Sequence, residues 1–406
     1  MNTFTTIAVT IGMSIIQVSV FPSLAENARI DAMGGISIID DFSHVMYFPG
    51  SVNCFPDQVK GTMGTYSDTA GKSVEYFGTI IGKKNIGKIL NIGFIANTDQ
   101  QTGSSVLRSN FYGRARSFLL SYSGDTLPAS FPPIPHLLFG LDFDKINIGF
   151  EGYYEDAHFK KSIANTNSFS EQEISNVGGK VSATIILNKF WLCPLFGIGA
   201  PSLKAVSGDT ALGEITSTKS KYITAGVETG IEWAASTLVA GAFLTNEGYR
   251  FGQSESPDYN IIFCDIYAGF TTWLLDSLFW AVEYDISLQY DDVANTGYEF
   301  HDSYIYHSLH MGVERPFKVT GLFDAVIPRA GIVYSLGTLT EQRGDTIINY
   351  PADAYTMRLN SGIGIKKNVF CLDLFVNIGN WNGVLIGPRT IAATLTIGLS
   401  KDFLEK

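Results

Sequence analysis

Trp280-Ala281-Val282-Glu283-Tyr284-Asp285-Ile286-Ser287-Leu288-Gln289-Tyr290 is the stretch whose reading decides the fold. Trp280, Val282, Tyr284, Ile286, Leu288 and Tyr290 form one apolar row, and Ala281, Glu283, Asp285, Ser287 and Gln289 form the other, small and polar. A strict period of two is the signature of an extended strand, because successive side chains leave a strand on opposite faces. The stretch is long enough to cross a bilayer at a tilt, with aromatic residues at both ends of the apolar row. The expected class is all-β, a transmembrane antiparallel β-barrel.

The alternation recurs. Ile223, Ala225, Val227, Thr229, Ile231 and Trp233 oppose Thr224, Gly226, Glu228, Gly230 and Glu232. Ile391, Ala393, Leu395, Ile397 and Leu399 oppose Thr390, Ala392, Thr394, Thr396 and Gly398, and a similar pattern runs through 355–365. Each polar row is costly against lipid unless it faces a shared interior, and no open sheet edge survives in hydrocarbon, so the sheet must close. Strands are expected near 57–66, 73–82, 86–97, 135–143, 145–155, 177–188, 192–201, 220–233, 237–246, 260–273, 278–290, 303–315, 326–335, 353–366, 368–378 and 388–403. Fourteen to sixteen strands fit this pattern.

Loop lengths add an independent signal. Turns are expected to be short at Lys83-Lys84-Asn85, Lys189-Phe190-Trp191, Ala234-Ala235-Ser236, Leu274 to Ser277 and Lys366-Lys367. Connections near 156–176, 202–219, 247–259, 291–302 and 336–352 read as long and polar. Outer-membrane barrels keep short turns on the periplasmic side and long loops outside, which orients the chain.

Composition agrees. The chain has 406 residues, 45% hydrophobic, 13% aromatic and 17% charged, with a formal net charge of −11. The negative balance argues against a nucleic-acid partner. Residues 1–25 read as a secretory leader, with Ser23-Leu24-Ala25 at the cleavage position. The apolar run from Ile261 to Val282 is interrupted by Asp265 and Asp276, and a hairpin with Asp276 in the turn and Asp265 in the lumen accounts for both. Cys54, Cys193, Cys264 and Cys371 form no CxxC, so no zinc cage or redox dithiol is signalled.

Between leader and first strand, residues 26–56 have too little period for another strand. Here Ala32, Met33, Gly34, Gly35, Asp40, Asp41, Tyr47 and Pro49 stand in a pattern that resembles the N-terminus of the long-chain fatty acid transporter (FadL-type) outer-membrane family and the related PorV-type barrels. Phe48 and Gly50 replace the Asn and Ala of that pattern. Ile327-Pro328-Arg329-Ala330-Gly331 resembles a late-barrel segment of the same families. The resemblance implies an N-terminal hatch inside the barrel, usually of fourteen strands, with ligand contacts carried to Met33, Gly34, Gly35, Tyr47, Phe48 and Pro49. Gly398 to Phe403 resembles the C-terminal signal read by the outer-membrane assembly machinery.

Candidate chemistry is sparse. His307 and His310 point opposite ways on a strand, which removes a metal pair. Neither they nor any Ser motif signals an enzyme, and no metal or other cofactor is expected. Gly197-Ile198-Gly199 and Gly362-Ile363-Gly364 read as small positions in strands. Lumen-facing Glu151, Glu228, Glu232, Glu283, Asp285 and Asp373 either make the lumen favour cations or pair with Arg329 and Arg358 to seal it. Residues 129–138 suggest an apolar rim loop or a plug. The expected function is passive passage of small hydrophobic molecules across a Gram-negative-type outer membrane, with membrane lipid and an apolar ligand as partners. The alternatives are a docking barrel for secreted proteins and a structural barrel.

Overall fold

The computed structural model describes residues 28–39, 41–67, 74–86, 89–97, 134–162, 169–207, 214–216, 220–249, 258–274, 277–295, 298–319, 321–343, 346–350, 356–380 and 389–399. The expected leader, Asp40, Asp276, residues 98–133 and residues 400–406 lie outside them, and with them Phe403 of the expected assembly signal and the start of the 129–138 run.

Sixteen long strands make one sheet. They are Gln58–Ser67 (β1), Val74–Ile86 (β2), Leu90–Asn97 (β3), Ile134–Asp142 (β4), Ile146–Ser162 (β5), Phe169–Leu187 (β6), Phe190–Ser207 (β7) and Lys221–Trp233 (β8). Ser236–Tyr249 (β9), Asp258–Leu274 (β10), Leu278–Asn295 (β11), Tyr298–Glu314 (β12), Ala325–Arg343 (β13), Thr356–Lys367 (β14), Phe370–Asn380 (β15) and Arg389–Gly398 (β16) complete the set. Each pairs antiparallel with its chain neighbour, and β1 pairs with β16 from Gln58↔Gly398 to Ser67↔Arg389, which closes the barrel. Three short strands, Glu214–Thr216, Phe317–Lys318 and Thr346–Tyr350, attach to β7 and β13. All sixteen expected strands are present, two more than the fourteen implied by the family resemblance.

The alternation separates lipid from lumen. On β16 Ile391 and Leu395 are exposed outward while Ala392 and Thr394 are buried inward. On β11 Tyr284, Leu288 and Tyr290 face out, and Ala281, Glu283 and Ser287 face in. An apolar outer belt around a closed sheet is what hydrocarbon requires, since every backbone group in the wall is paired within it. The chain is a transmembrane β-barrel of the outer-membrane kind.

Two sets of expectations need correction. Lys83-Lys84-Asn85 is not a turn: β2 runs on to Ile86, and Lys83 is buried, donating to the carbonyls of Val52 at 3.1 Å and of Phe55. Among the described residues, hairpins turn where the backbone is left-handed, at Asp144, Asn188, Ala234 and Asn368, all with positive φ, and the expected turns at Lys189 and Ala234-Ala235 are among them. Tight two-residue hairpins favour that conformation because its twist matches the strands. Much of the expected loop sequence is also strand. β5 pairs with β6 out to Ser162↔Phe169, and β11 with β12 out to Asn295↔Tyr298. Strands of 17 to 19 residues here exceed the ~9–11 needed to span a membrane, so the ladder continues above it. Outside lipid both faces of a strand tolerate polar side chains, which is why composition alone reads as loop.

Candidate functional site

The N-terminal segment lies inside the barrel and follows its inner wall. It begins with a short helix, Ala28–Ala32 (α1), and contains two 3-10 turns, Phe42–Met46 and Pro49–Cys54. Its contacts pass round the wall against strand order. The Ala28 amide donates to Thr394 Oγ1 on β16 at 2.9 Å, and Asn360 on β14 donates to the Asp31 carbonyl at 2.7 Å. His310 on β12 bonds the Gly34 carbonyl at 2.6 Å, and Glu283 on β11 accepts the Ser37 and Ile38 amides at 2.9 and 3.0 Å. Glu228 on β8 meets His44 at 2.8 Å. Ser182 on β6 accepts the Gly50 amide at 2.7 Å, and the Leu141 carbonyl on β4 accepts Asn53 at 3.1 Å.

Glycines make this close approach possible. Gly34 and Gly35 adopt positive φ, which side chains disfavour, so the segment can bend there. A Cβ on Gly312 or Gly331 would strike the Met33-Gly34 backbone, and one on Gly149 would strike the Pro49-Gly50 peptide. Elsewhere a wall glycine accommodates an aromatic ring from the neighbouring strand: Trp191 lies against Gly230, Phe243 against Gly226 and Tyr267 against Gly241. Phe48 packs on that surface with its ring 5.4 Å from Phe243.

The charges form a chain of alternating sign. Lys60 pairs with Asp41, Asp41 lies 3.9 Å from Arg29, and Arg29 reaches Glu314 at 2.7 Å. Arg329 bonds Glu314 at 2.8 Å and Asp373 at 2.5 Å. Burial alone would raise the Asp41 carboxyl, but Lys60 and Arg29 outweigh it and hold it well below the usual carboxylate range. Burial likewise opposes the Arg29 charge, and Glu314 reverses the effect, holding the guanidinium above its ordinary value. Both nitrogens of His310 face acceptors, the Gly34 carbonyl at 2.6 Å and the Asp285 carboxylate at 2.7 Å.

Of the carboxylates assigned to the lumen by alternation, Glu151 joins His136 at 2.7 Å and Lys180 at 3.1 Å, while Glu228 also accepts Tyr267 at 2.5 Å. Glu283, Asp285 and Asp373 hold the partners given above. Glu232 differs, standing exposed at the short-turn rim. His307 is on the outer face, stacked on Tyr284, opposite to His310. Among the described residues no cluster of His, Cys, Asp or Glu is arranged to hold a metal ion, and all four cysteines are free.

Two cavities flank the segment. The larger, about 540 Å³, lies toward the short-turn end, between Ile38, Ile39 and Phe55 of the segment and Trp191, Val239 and Phe279 of the wall, with Glu228 and Glu232 at its polar edge. The smaller, about 70 Å³, lies on the long-loop side, where Gly34 and Gly35 face Ser308, His310, Ser335 and Arg358. Met33, Phe48 and Pro49 are buried in the contact with the wall and line neither, and Tyr47 is half-buried beside them. Ile38, Ile39 and Phe55 escaped the sequence reading. A signal existed on β7, where Trp191, Cys193 and Leu195 put an apolar row on the lumen face.

A closed sixteen-stranded wall with its own N-terminal segment lying in the lumen defines a transmembrane barrel with an internal segment. No protein-family model and no curated protein matches the chain. Among solved structures it is similar to the toluene transporter TodX of Pseudomonas putida, at 10% identity over 93% of this chain and 98% of that one, with a TM-score of 0.41. It is similar also to the CymD monoaromatic hydrocarbon channel, at 9% identity over 93% and 97%, with a TM-score of 0.42. With CdiB from Acinetobacter baumannii the identity is 9%, over 84% of this chain and 60% of that one, with a TM-score of 0.46. This chain therefore spans about 60% of the length of CdiB. None of these likenesses transfers an activity.

Proposed function

We propose that this barrel is a passive conduit for small hydrophobic molecules across the outer membrane, with residues 26–56 as a hatch that must shift to let them pass. Residues 1–25 are the leader and 57–406 the barrel in this reading. The observation that carries it is the cavity of about 540 Å³ bounded on one side by the hatch and on the other by Trp191, Val239 and Phe279. Ligand pockets have this size, and Ile38, Ile39, Phe55, Trp191, Val239, Trp273 and Phe279 give it an apolar lining beside polar groups that include Arg29, His44, Lys189, Glu228 and Glu232. Met33, Gly34, Gly35, Tyr47, Phe48 and Pro49 then act by seating the hatch, and Glu151, Glu228, Glu283, Asp285 and Asp373 by anchoring it or the wall around it. Arg358 faces the chamber on the other side, and Glu232 the exit rim. A conduit needs no catalytic group.

The test is a disulfide across the seat. Gly50 and Ser182 adjoin, the Gly50 amide donating to Ser182 Oγ at 2.7 Å, so a Gly50→Cys, Ser182→Cys pair is placed to bridge segment and wall once the added Cβ moves off the Ser182 carbonyl, 2.9 Å away. Uptake of a size-graded panel of apolar probes is measured in cells carrying the oxidised and the reduced protein. Loss of uptake on oxidation, restored by reductant, is the expected outcome. Equal uptake in both forms overturns the gating reading.

A further inference from the structure

At the short-turn end, six hairpins place no more than three residues between strands, whereas β12 and β13 are joined by ten, Arg315 to Asp324. This turn is built rather than slack. Its strand pair Phe317–Lys318 is hydrogen-bonded to β13, and the Val319 amide donates to the Asp324 carbonyl at 3.2 Å. Asp324 also accepts the Asn368 amide of the next hairpin at 2.6 Å, and Lys367 reaches the Gly321 carbonyl at 3.3 Å. Gly321 takes the positive φ that turns the tip. The bond from Asn368 holds the Asp324 carboxyl below its ordinary range, so the pin stays charged.

What this held turn displays is apolar and basic. Leu322 is 75% exposed, Phe317 45% and Val319 40%, and Phe370 on the adjoining hairpin is 49% exposed. Arg315 lies over the Phe317 ring at 5.0 Å, and Lys367, the register partner of exposed Phe370, stands on the same outer face beside Gly321 and Asp324. The apolar groups continue the lipid-facing belt past its inner edge, where water would otherwise meet them. Basic side chains beside inserted apolar ones are the pattern that binds a surface of anionic lipid headgroups.

We propose that the Arg315–Asp324 turn is a membrane-surface anchor that lays Phe317, Val319 and Leu322 into the inner leaflet of the outer membrane, with Arg315 and Lys367 on the phosphates of anionic phospholipid. It fixes the barrel's depth and rotation at the corner where the Arg29–Glu314–Arg329 network meets the rim. The proposal needs only the bilayer setting of the barrel and stands apart from its transport role.

A spin label on Leu322→Cys in the full chain with its own cysteines replaced, reconstituted in phosphatidylethanolamine–phosphatidylglycerol vesicles, reads this out. A label on Ala235→Cys, which lines the water-open cavity, is the aqueous reference. Collision with oxygen is expected to exceed collision with a soluble nickel chelate severalfold at position 322, and the reverse at 235. Adding Arg315→Glu should move the 322 label toward the reference while the barrel stays heat-modifiable on gels. Chelate access at 322 equal to that at 235 overturns the proposal. So does protection that appears only in native envelopes, which would assign the turn to a protein partner. Protection unchanged when phosphatidylglycerol is exchanged for neutral phosphatidylcholine overturns the role of headgroup charge.

Discussion

Arg29 and Glu314 stand 285 positions apart in the chain and 2.7 Å apart in the lumen, and Arg329 bonds the same carboxylate at 2.8 Å. One wall carboxylate thus ties the N-terminal segment to β12 and β13 together. Removing one member of a buried ionic group leaves its partner uncompensated, at a cost of about 3 kcal/mol or more. Arg29→Met should therefore increase deuterium exchange across residues 28–56 while leaving the wall strands protected. Unchanged exchange in the segment would show that this network does not dock it.

Asp41 sets the acid limit of docking. Its carboxyl is depressed when the segment is seated, so its contribution is fully present above the ordinary carboxylate pKa of about 4 and is lost as pH falls through the lower seated value. Label-to-label distances between the segment and the wall should hold through mildly acidic pH and change only well below that range. In Asp41→Asn the seating should be weaker at neutral pH and the acid step smaller, since Glu314, Glu283 and Glu228 still hold the segment.

His307 and His310 give a paired comparison. Only His310 touches the segment, through the Gly34 carbonyl, while His307 faces outward on Tyr284. His310→Ala removes a charge-assisted bond and strands Asp285, a loss of about 2 kcal/mol in docking. The same change at His307 should leave exchange in residues 33–39 as it was. Equal effects from both would contradict the face assignment.

The glycine seats predict a third contrast. Gly149→Val and Gly331→Val push into the segment's backbone, where overpacking costs about 1–3 kcal/mol, whereas Gly152 has nothing within 4 Å of its added Cβ. Protease cleavage within residues 28–56 should rise in the first two variants and stay at the wild-type rate in Gly152→Val.

On the lipid face, Val227 is exposed and its neighbour Glu228 is buried in the lumen. Val227→Lys near mid-membrane should lower barrel stability by about 2–4 kcal/mol in chemical unfolding. A neutral result would mean that this row does not face hydrocarbon.

The sequence by itself determined that the chain forms amphipathic strands, fourteen to sixteen of them, which residues face out, and that residues 26–56 are not among them. Those are local properties: a period of two is written within each strand, and a break in it is visible without knowing any neighbour. It also determined that Glu283 faces the lumen, though not that Glu283 accepts the Ser37 and Ile38 amides, because those partners meet only when the sheet closes. Turn positions were misread at Lys83 because a basic cluster reads as exposed until Val52 and Phe55 supply buried carbonyls for it. Strand lengths were underestimated for the same kind of reason, since a polar ladder above the membrane has the composition of a loop. Only the tertiary structure decided that the lumen charges are joined to one another and to the segment, and that its cavity is walled by Ile38, Ile39 and Trp191. Those facts depend on contacts between residues hundreds of positions apart, which no local pattern encodes.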